Sequence, residues 1–436
     1  MDFITQFEQI LEQTINYGMY AEANRLLGTY PATGHPYALK IFSLINRLRQ
    51  CTLSSPQRIV LFRTGNYILD YISEQFRTTF MENGCETFLF DPADYSASTN
   101  ALFSFAKNGI DAAYFFNNVG LLQTLEDGRN LWETLFIPCF DFLVDHPMYY
   151  ADSLDYAPSR TTLLVADQTH IDYIRRFYPR VHNTLFLPTG GCEVPFNTQS
   201  WIERKLDILF IGSYKFHADY TEDILDQRII KHLITHTDHT FEQALELCLT
   251  ENRPESSKQL SDEALKDIIE SHRFLETNLT ARYRRAILEE LVTSGMSVHV
   301  YGNGWEQSGL VSYPNFHLHE PVPFNEGIAL MGQCKILLNH MAWFKHGSSE
   351  RIFNAMAQGA LCVTDSSAYL DNILKNDINC SLYSLSDILP VNVHTIADKI
   401  SLLLSNPVKS SEIAAEGQKI ALMHTWKKHL LYVIMN

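Results

Sequence analysis

Short apolar runs alternate with amphipathic helical stretches along the chain from Arg58 onward. In the helical stretches apolar residues recur every three or four positions, whereas the short runs are apolar almost throughout. Strands of that second kind are buried on both faces, as in a parallel sheet covered by helices. The pattern predicts a doubly wound α/β sheet over residues 53–200, with strands at RIVLF, ETFLFD, IDAAYFFN, IPCFDFLVD, TTLLVAD and NTLFLP.

The same alternation starts again at Lys205 and predicts a second sheet within residues 201–412. Its strands read KLDILFIG, MSVHVYGNGW, NFHLHE, CKILLNH and GALCVTD. A polar helical stretch over about residues 219–290 separates the first two of them. Because this stretch is far longer than an ordinary crossover connection, we expect an inserted group of helices there, interrupted by a loop at Pro254–Ser257.

Helical patterns also begin and end the chain. Residues 1–52 predict a small helical cap, and residues 413–436 predict one amphipathic helix that packs back on the first domain. All these elements together predict two Rossmann-like domains that face each other across a cleft, with an N-terminal helical cap and a helical insert in the second domain.

The amino-acid composition and net charge exclude two classes of binding partner. The chain has 436 residues, of which 46% are hydrophobic, and its 34 Lys and Arg against 50 Asp and Glu give a net charge of −16. A protein that neutralises a phosphate backbone or an anionic membrane needs a surplus of positive charge, so neither is expected as a partner. No apolar run is long enough to cross a bilayer and no leader is recognisable, which predicts a cytoplasmic protein.

The eight cysteines are scattered and never form a Cys-x-x-Cys pair. Several lie inside apolar runs, where cysteine usually serves as a small hydrophobic residue. This distribution is typical of reduced thiols and favours neither a disulfide framework nor a zinc site.

Residues that follow strands are the first candidates for a site, because ligands of open parallel sheets bind beyond the carboxyl ends of the strands. In the second domain the candidates share small or polar side chains and fall into three groups: Gly212, Ser213 and Tyr214; Tyr301, Gly302, Asn303 and Trp305; and His340 with His346, Gly347, Ser348, Ser349 and Arg351.

The segment HGSSER at the end of the third group carries the sharpest signal. Ser348 or Ser349 can cap a helix there, and the free backbone N–H groups and dipole of a helix start favour an anion. Arg351 can add a charge-assisted contact to a phosphate. The alternative is an ordinary capped helix in which Glu350 and Arg351 form a salt bridge.

These segments resemble a known family. The runs DILFIGSY, VHVYGNGW and KILLNH, the segment GSSERIFNAMAQGALCVTD and the closing HTWKKHLL are similar to bacterial GT-B glycosyltransferases, above all the CgeB-like proteins and related group 1 transferases. The resemblance covers the second domain and the closing helix, and the first domain only by its strand order and its FLVDHP segment.

The resemblance implies a nucleoside-diphosphate sugar, most often a uridine one, bound by the second domain, and a glycan or protein acceptor bound by the first. It places Gly212, Ser213 and Tyr214 near the donor phosphates and Tyr301, Gly302, Asn303 and Trp305 around the base or ribose. It assigns the diphosphate to Ser348, Ser349 and Arg351, and His346 and Gly347 are counted among the donor-binding residues. His340, at the end of its strand, can also reach the donor, although a hydrogen-bonded structural histidine is the alternative.

Asn354 departs from the family pattern. It stands where such enzymes commonly carry a glutamate that binds the ribose hydroxyls. The spaced glutamate pair of the retaining members would need acids at both His346 and Asn354, and neither residue is one. The stereochemical outcome of transfer therefore stays open.

Transfer chemistry can be argued from the residues. Cleavage of a sugar–phosphate bond builds negative charge on the leaving diphosphate, which fixed N–H dipoles and an arginine can stabilise without a metal. The chain contains no Asp-x-Asp, the usual metal-binding pair of metal-dependent sugar transferases. We therefore expect neither a metal nor a cofactor besides the sugar nucleotide.

Two groups in the first domain are candidates for the acceptor side. Asp145 and His146 end the strand PCFDFLV and can supply the base that deprotonates an acceptor hydroxyl, although a turn ahead of Pro147 with Asp145 as a local cap is the alternative. Arg63 and Asn66 follow the first strand and can contact the acceptor, or Asn66 can simply cap the next helix.

Other functions remain as alternatives. A nucleotide-sugar-binding scaffold without activity is favoured by Asn354, and an epimerase or a phosphorylase can also use two Rossmann-like domains. A dinucleotide oxidoreductase is disfavoured, since no G-x-G-x-x-G follows RIVLF.

Overall fold

The computed structural model describes residues 3–29, 38–54, 57–193, 195, 197–251, 260–341, 343–389 and 395–435. The chain divides into two compact units, and each is described by itself. Unit 1 comprises Met1–Val165 and Tyr178–Leu185, and unit 2 comprises Ala166–Phe177 and Phe186–Asn436. The predicted domain boundaries at residues 52, 200 and 412 remain predictions.

Unit 1 is built on a parallel sheet whose strands coincide with the predicted apolar runs. The strand order is β2-β1-β3-β4-β5-β6. The central strands are buried on both faces, which explains why they read as continuous apolar runs. The strands are β1 (Arg58–Phe62), β2 (Glu86–Phe90), β3 (Ala112–Phe116), β4 (Cys139–Leu143), β5 (Thr161–Val165) and β6 (Asn183–Phe186).

Helices cover this sheet, and three further helices precede it along the chain. The first three are α1 (Phe3–Asn16), α2 (Tyr20–Leu27) and α3 (Ala38–Thr52), and they enclose a small core of their own, as the predicted cap requires. The next four are α4 (Tyr67–Glu82), α5 (Tyr95–Ala106), α6 (Leu131–Thr134) and α7 (Ala151–Asp155). Buried Asn46 ties α3 to the sheet, because its side chain donates to the Leu135 carbonyl at 2.8 Å and accepts from the Ile110 N–H at 2.7 Å.

Unit 2 carries the second parallel sheet, in the order β12-β11-β10-β7-β8-β9. The chain therefore runs outward from β7 to β9 and then continues on the other side of β7. The strands are β7 (Leu206–Ile211), β8 (Val298–Tyr301), β9 (Phe316–His319), β10 (Cys334–Leu338), β11 (Leu361–Thr364) and β12 (Ser381–Leu382).

Between β7 and β8, where the sequence predicts a helical insert, the described residues form four helices. They are α9 (Ile224–Thr235), α10 (Phe241–Thr250), α11 (Asp262–Ser271) and α12 (Phe274–Thr293). The predicted loop at Pro254–Ser257 lies outside the described residues. The other helices of unit 2 are α8 (Thr169–Phe177), α13 (Phe324–Met331), α14 (Glu350–Ala357) and α15 (Thr395–Ser405).

The chain closes with two helices where the sequence predicts one. Four residues separate helix α16 (Pro407–Ala421) from α17 (Trp426–Met435). Between them, the His424 carbonyl accepts from the Gly191 N–H at 2.8 Å, and the Trp426 N–H donates to the Gly191 carbonyl at 2.9 Å. A Cβ on Gly190 would lie 2.5 Å from the Trp426 nitrogen, so only glycine permits this approach. The prediction of a single helix was wrong because this partner lies far away in sequence.

The sheets and their alternating helices confirm the α/β class. None of the helices in the described ranges is long and apolar enough to cross a bilayer.

Candidate functional site

The carboxyl ends of β7 and β10 lie side by side in unit 2, at the point where the strand order reverses. Ligands of open parallel sheets bind beyond the strand ends at such a point. The residues that follow these two strands, and the loops packed against them, therefore form the candidate site.

The loop after β7 is joined to the loop after β8. The Gly212 N–H donates to the Tyr301 carbonyl at 2.9 Å, and the Tyr214 N–H donates to the Asn303 carbonyl at 2.8 Å. Gly302 and Gly304 have φ angles of 155° and 84°, and a Cβ on either would collide with the backbone of Gly212 or Tyr214. Glycine is required at both positions, because a side chain would push the two loops apart.

Trp305 supports these loops from the core. Its indole is fully buried, donates to the Gly212 carbonyl at 2.8 Å and packs against the Phe210 and Tyr214 rings. Tyr214 is only 8% exposed. Both aromatic side chains thus hold the backbone in place, and their predicted contact with a ligand remains a prediction.

Arg351 reaches from the start of α14 to the end of β7. Ser349 caps the helix, and the Arg351 guanidinium donates to the Ile211 carbonyl at 2.9 Å and to Ser349 Oγ at 3.3 Å. Glu350 lies 4.0 Å from it, at the outer limit of an ion pair. The alternative of a helix start closed by a tight Glu350–Arg351 salt bridge therefore describes this geometry poorly.

A second arginine, which the sequence analysis missed, lies at the same strand end. Arg284 projects from α12 and donates to the Ser213 carbonyl at 2.6 Å. Its Nε has no hydrogen-bond partner among the described residues, and no carboxylate of the described residues forms an ion pair with it. Burial, together with repulsion by Arg351, lowers the pKa of Arg284 to about 9.

The two guanidinium groups, Arg284 and Arg351, are named the arginine pair. The Arg284 guanidinium binds the Ser213 carbonyl in the loop after β7, and the Arg351 guanidinium binds the Ile211 carbonyl at the end of that strand. Glu350 lies 4.0 Å from Arg351, and the negative charge of Asp365 opposes the lowering of the Arg284 pKa. Like charges close to each other repel, and a bound anion would relieve that repulsion. The arginine pair is therefore a candidate anion-binding site.

His340 lies beside the arginine pair, directly beyond β10. It is 1% exposed, and its Nδ1 lies 3.4 Å from the Tyr383 hydroxyl. Burial and then the charges of Arg284, Arg351 and Lys345 hold the pKa of His340 well below its usual range. The imidazole is therefore neutral at physiological pH.

The loop before α14 is fixed by hydrogen bonds to its backbone. Asp167 Oδ2 accepts from the His346 N–H at 2.9 Å, and Ser367 donates to the Gly347 carbonyl at 2.6 Å. Ser348 exchanges two hydrogen bonds with Thr189, at 2.7 and 3.0 Å. The His346 side chain is exposed, whereas Ser348 and Ser349 are buried.

Asn354 makes an internal contact. Its Oδ1 accepts from the Cys192 N–H at 2.8 Å, and the side chain is fully buried. The asparagine thus anchors the chain segment that enters unit 2 after β6. Its predicted place in a ribose-binding site remains a prediction.

In unit 1 the predicted base lies in a hydrogen-bonded cluster beyond β3 and β4. Asp145 is exposed, and its Oδ2 accepts from Asn117 Nδ2 at 3.0 Å and from the Tyr150 hydroxyl at 2.9 Å. His146 Nδ1 accepts from the Met148 N–H at 3.1 Å and caps the short 3₁₀ turn Pro147–Tyr150. The cap of this turn is thus His146, whereas the sequence suggested Asp145.

Asp141, which the sequence analysis did not single out, lies fully buried beneath this cluster. Its Oδ1 accepts from the Asn118 N–H at 3.1 Å. Burial raises its pKa to about 7, although that hydrogen bond opposes the shift. Asn117 and Asn118 have φ angles of 49° and 62°, so Asp141 fixes a left-handed turn that is costly for residues other than glycine.

The two residues after β1 are engaged locally. Arg63 forms an ion pair with Asp91 at 3.0 Å, and Asn66 caps α4 by accepting from the Ile68 N–H at 3.0 Å. These contacts match the alternative of an ordinary strand-to-helix turn. Acceptor binding by Arg63 and Asn66 remains a prediction.

Comparisons with known proteins agree with this architecture. Residues 282–434 match the family described as glycosyl transferase-like. An alpha-glucosyltransferase solved with UDP and a 13-mer DNA is 10% identical, with a TM-score of 0.53 over 87% of this chain and 99% of that one. Sucrose-phosphate synthase of Thermosynechococcus elongatus is 9% identical, with a TM-score of 0.48 over 87% and 98% of the two chains. No curated protein matches the sequence significantly.

The chain thus has the GT-B fold of glycosyltransferases, and residues 282–434 form a glycosyl transferase-like domain. The GT-B fold expected from the sequence motifs is confirmed, and the match to the glycosyl transferase-like family covers residues 282–434, while the likeness to the CgeB-like group and the bacterial origin remain predictions.

Proposed function

We propose that the protein is a glycosyltransferase that binds a nucleoside-diphosphate sugar, a UDP-sugar, through unit 2. The observation that carries the proposal is the arginine pair, which lies at the strand reversal with Glu350 only at the 4.0 Å limit of an ion pair with Arg351. A domain that binds a nucleoside-diphosphate sugar must bind the diphosphate, which is an anion. The alpha-glucosyltransferase of the same fold was solved with UDP, which supports a uridine nucleotide.

The arginine pair would act in the chemical step as well as in binding. Charge develops on the diphosphate as the sugar leaves, and two guanidinium groups fixed by backbone carbonyls can stabilise it without rearranging. The first turn of α14 adds its dipole at the same place. These groups supply the stabilisation that a metal provides in other transferases, so we propose transfer without a metal.

The proposed acceptor is a glycan or a protein bound by unit 1, and Asp145 is the proposed base if the anomeric carbon inverts. The Asp145 carboxylate is exposed, and its direction is fixed by Asn117 and Tyr150. A base must lie within hydrogen-bond reach of the hydroxyl that it deprotonates, which an exposed and oriented carboxylate allows.

The test is nucleotide binding by the full chain and by Arg351→Ala. UDP, GDP, TDP, CMP and NAD are compared by thermal shift and calorimetry in the presence of EDTA, and stabilisation by UDP is expected. Since hydrogen bonds to charged groups are worth about 1.5–3 kcal/mol, Arg351→Ala should weaken UDP binding about 10- to 100-fold. Its melting temperature should barely change, because the lost bond to Ile211 is offset by relief of repulsion with Arg284.

Arg175→Ala is the matched control. Arg175 lies in α8 of the same unit, is 74% exposed and forms an ion pair with Asp172. It should bind UDP as the wild type does. If Arg351→Ala unfolds the protein instead, the arginine is structural and the proposal loses its main support.

A second function, a sugar-nucleotide-binding scaffold without activity, is favoured by Asn354. An amide that holds the Cys192 backbone cannot serve as a carboxylate toward ribose. UDP binding without turnover of any donor, with or without added acceptors, would favour the scaffold.

A further inference from the structure

Two buried polar atoms beside the arginine pair have no protein partner. Nε2 of His340 and the hydroxyl of Tyr283 make no hydrogen bond with any of the described residues, although these side chains are only 1% and 2% exposed. The two rings are neighbours, with centroids 5.3 Å apart. A buried polar atom without a partner is costly, so a ligand that supplies one is favoured.

The neighbours of the Tyr383 hydroxyl indicate which nitrogen of His340 carries the proton. The hydroxyl has one hydrogen and lies 2.8 Å from the Asn339 carbonyl, 3.4 Å from His340 Nδ1 and 3.5 Å from Asp365 Oδ1. We assign its hydrogen to the shortest of these contacts, to the Asn339 carbonyl, so that its oxygen accepts from His340 Nδ1. A neutral imidazole has one N–H, which is then on Nδ1. Nε2 therefore presents a lone pair and can only accept.

Because His340 Nε2 is a hydrogen-bond acceptor, several chemical groups of a ligand do not fit beside it. A phosphoryl oxygen is itself only an acceptor and would repel the lone pair of Nε2. An ammonium group is disfavoured by the neighbouring charges of Arg284, Arg351 and Lys345. A hydroxyl group fits, because it can donate to His340 Nε2 and accept from the Tyr283 O–H.

The strand order indicates which hydroxyl group of the ligand lies beside His340. In the proposed function the nucleoside lies at the loop after β8, as the resemblance implies, and the diphosphate at the arginine pair after β7. His340 follows β10, on the opposite side of β7 from β8. A nucleotide laid out in that order directs its sugar toward β10. We propose that His340 accepts a hydrogen bond, through Nε2, from a hydroxyl of the transferred sugar, with Tyr283 donating to the same hydroxyl.

This inference rests on the proposed function and assigns His340 the role of distinguishing a sugar nucleotide from the bare nucleoside diphosphate. Calorimetry of the full chain with UDP, UDP-glucose, UDP-galactose and UDP-N-acetylglucosamine measures how much the sugar adds to affinity. His340→Met removes the acceptor, and His340→Gln, the matched control, places an amide oxygen close to the position of Nε2.

We expect the loss of the His340 imidazole to weaken binding of the sugar nucleotide but not of UDP. In His340→Met the preferred sugar nucleotide should bind about tenfold more weakly while UDP affinity stays unchanged, and His340→Gln should recover most of the loss. Equal weakening of UDP and of the sugar nucleotide would overturn the inference. So would a wild-type protein that gains no affinity from any of the sugars. A wild-type protein that does not bind UDP at all overturns the proposed function itself.

A second measurement does not depend on the variants folding. Long-range proton–nitrogen spectra of the histidine side chains in the wild-type protein should show His340 protonated on Nδ1, with an Nε2 resonance that moves on adding the sugar nucleotide and not on adding UDP. Protonation on Nε2 would refute the assignment.

Discussion

Replacing Asp141 by asparagine is expected to stabilise the protein more at pH 8 than at pH 5. The Asp141 carboxyl is fully buried, and its one hydrogen bond within the described residues comes from the Asn118 N–H. Burial raises its pKa from 3.8 to about 7. In the folded protein the group therefore stays protonated over a pH range in which the unfolded chain ionises it.

The difference between the pKa values of Asp141 in the folded and the unfolded protein determines the sign and the size of its effect on stability. A carboxyl with a raised pKa contributes stability that is fully present below pH 3.8 and is lost as the pH rises through 7. Each pH unit between the two values changes the free energy of unfolding by about 1.4 kcal/mol, so the whole interval amounts to about 4 kcal/mol. Asparagine does not ionise and keeps that stability at high pH.

Urea unfolding of the full chain at pH 5, 6, 7 and 8 measures the effect. The advantage of Asp141→Asn over the wild type should grow with pH and level off above 7. Ser73→Ala is the control, because it removes a buried hydrogen bond to the Phe62 carbonyl without removing an ionisable group. A difference between Asp141→Asn and the wild type that is the same at pH 5 and pH 8 would refute the reasoning.

Three further predictions concern the site. Gly302→Ala should weaken UDP binding and lower the melting temperature, since its Cβ would collide with the Gly212 carbonyl, and an unchanged calorimetric titration would contradict this. Asp145→Asn and His146→Ala should lower turnover in a donor-consumption assay while sparing UDP affinity, and unchanged turnover in both would remove them as candidate bases. Asn354→Ala should reduce the free energy of unfolding by about 1–3 kcal/mol, because it removes the buried hydrogen bond from the Cys192 N–H to Asn354 Oδ1, and chemical denaturation measures the loss.

The strands were predictable because each is apolar over its whole length, and that pattern depends only on neighbouring residues. The sequence singled out Arg351 because it lies in the first turn of a capped helix, and the structure places its guanidinium at the end of β7, while its role in binding remains a prediction. Arg284 gave no such signal. It lies in the middle of a long helix, and only the packing of α12 against the sheet brings it to the end of β7.

Contacts between segments that are distant in sequence account for the other differences between the predicted and the observed structure. The break between α16 and α17 contains neither glycine nor proline, and its partner is Gly191, far back in the chain. Likewise, the sequence offers Asn354 only as a departure from a family pattern. Its bond to Cys192, 162 residues away, appears only once the chain is folded.

The arginine pair has a practical consequence for handling the protein. If the arginine pair binds a diphosphate as proposed, it would also bind smaller anions from the solution. Phosphate, sulfate or citrate in a buffer would therefore raise the melting temperature and compete with nucleotides, so that an affinity measured in phosphate would understate the one measured in a weakly coordinating buffer. The choice of buffer anion is thus part of any binding measurement on this protein.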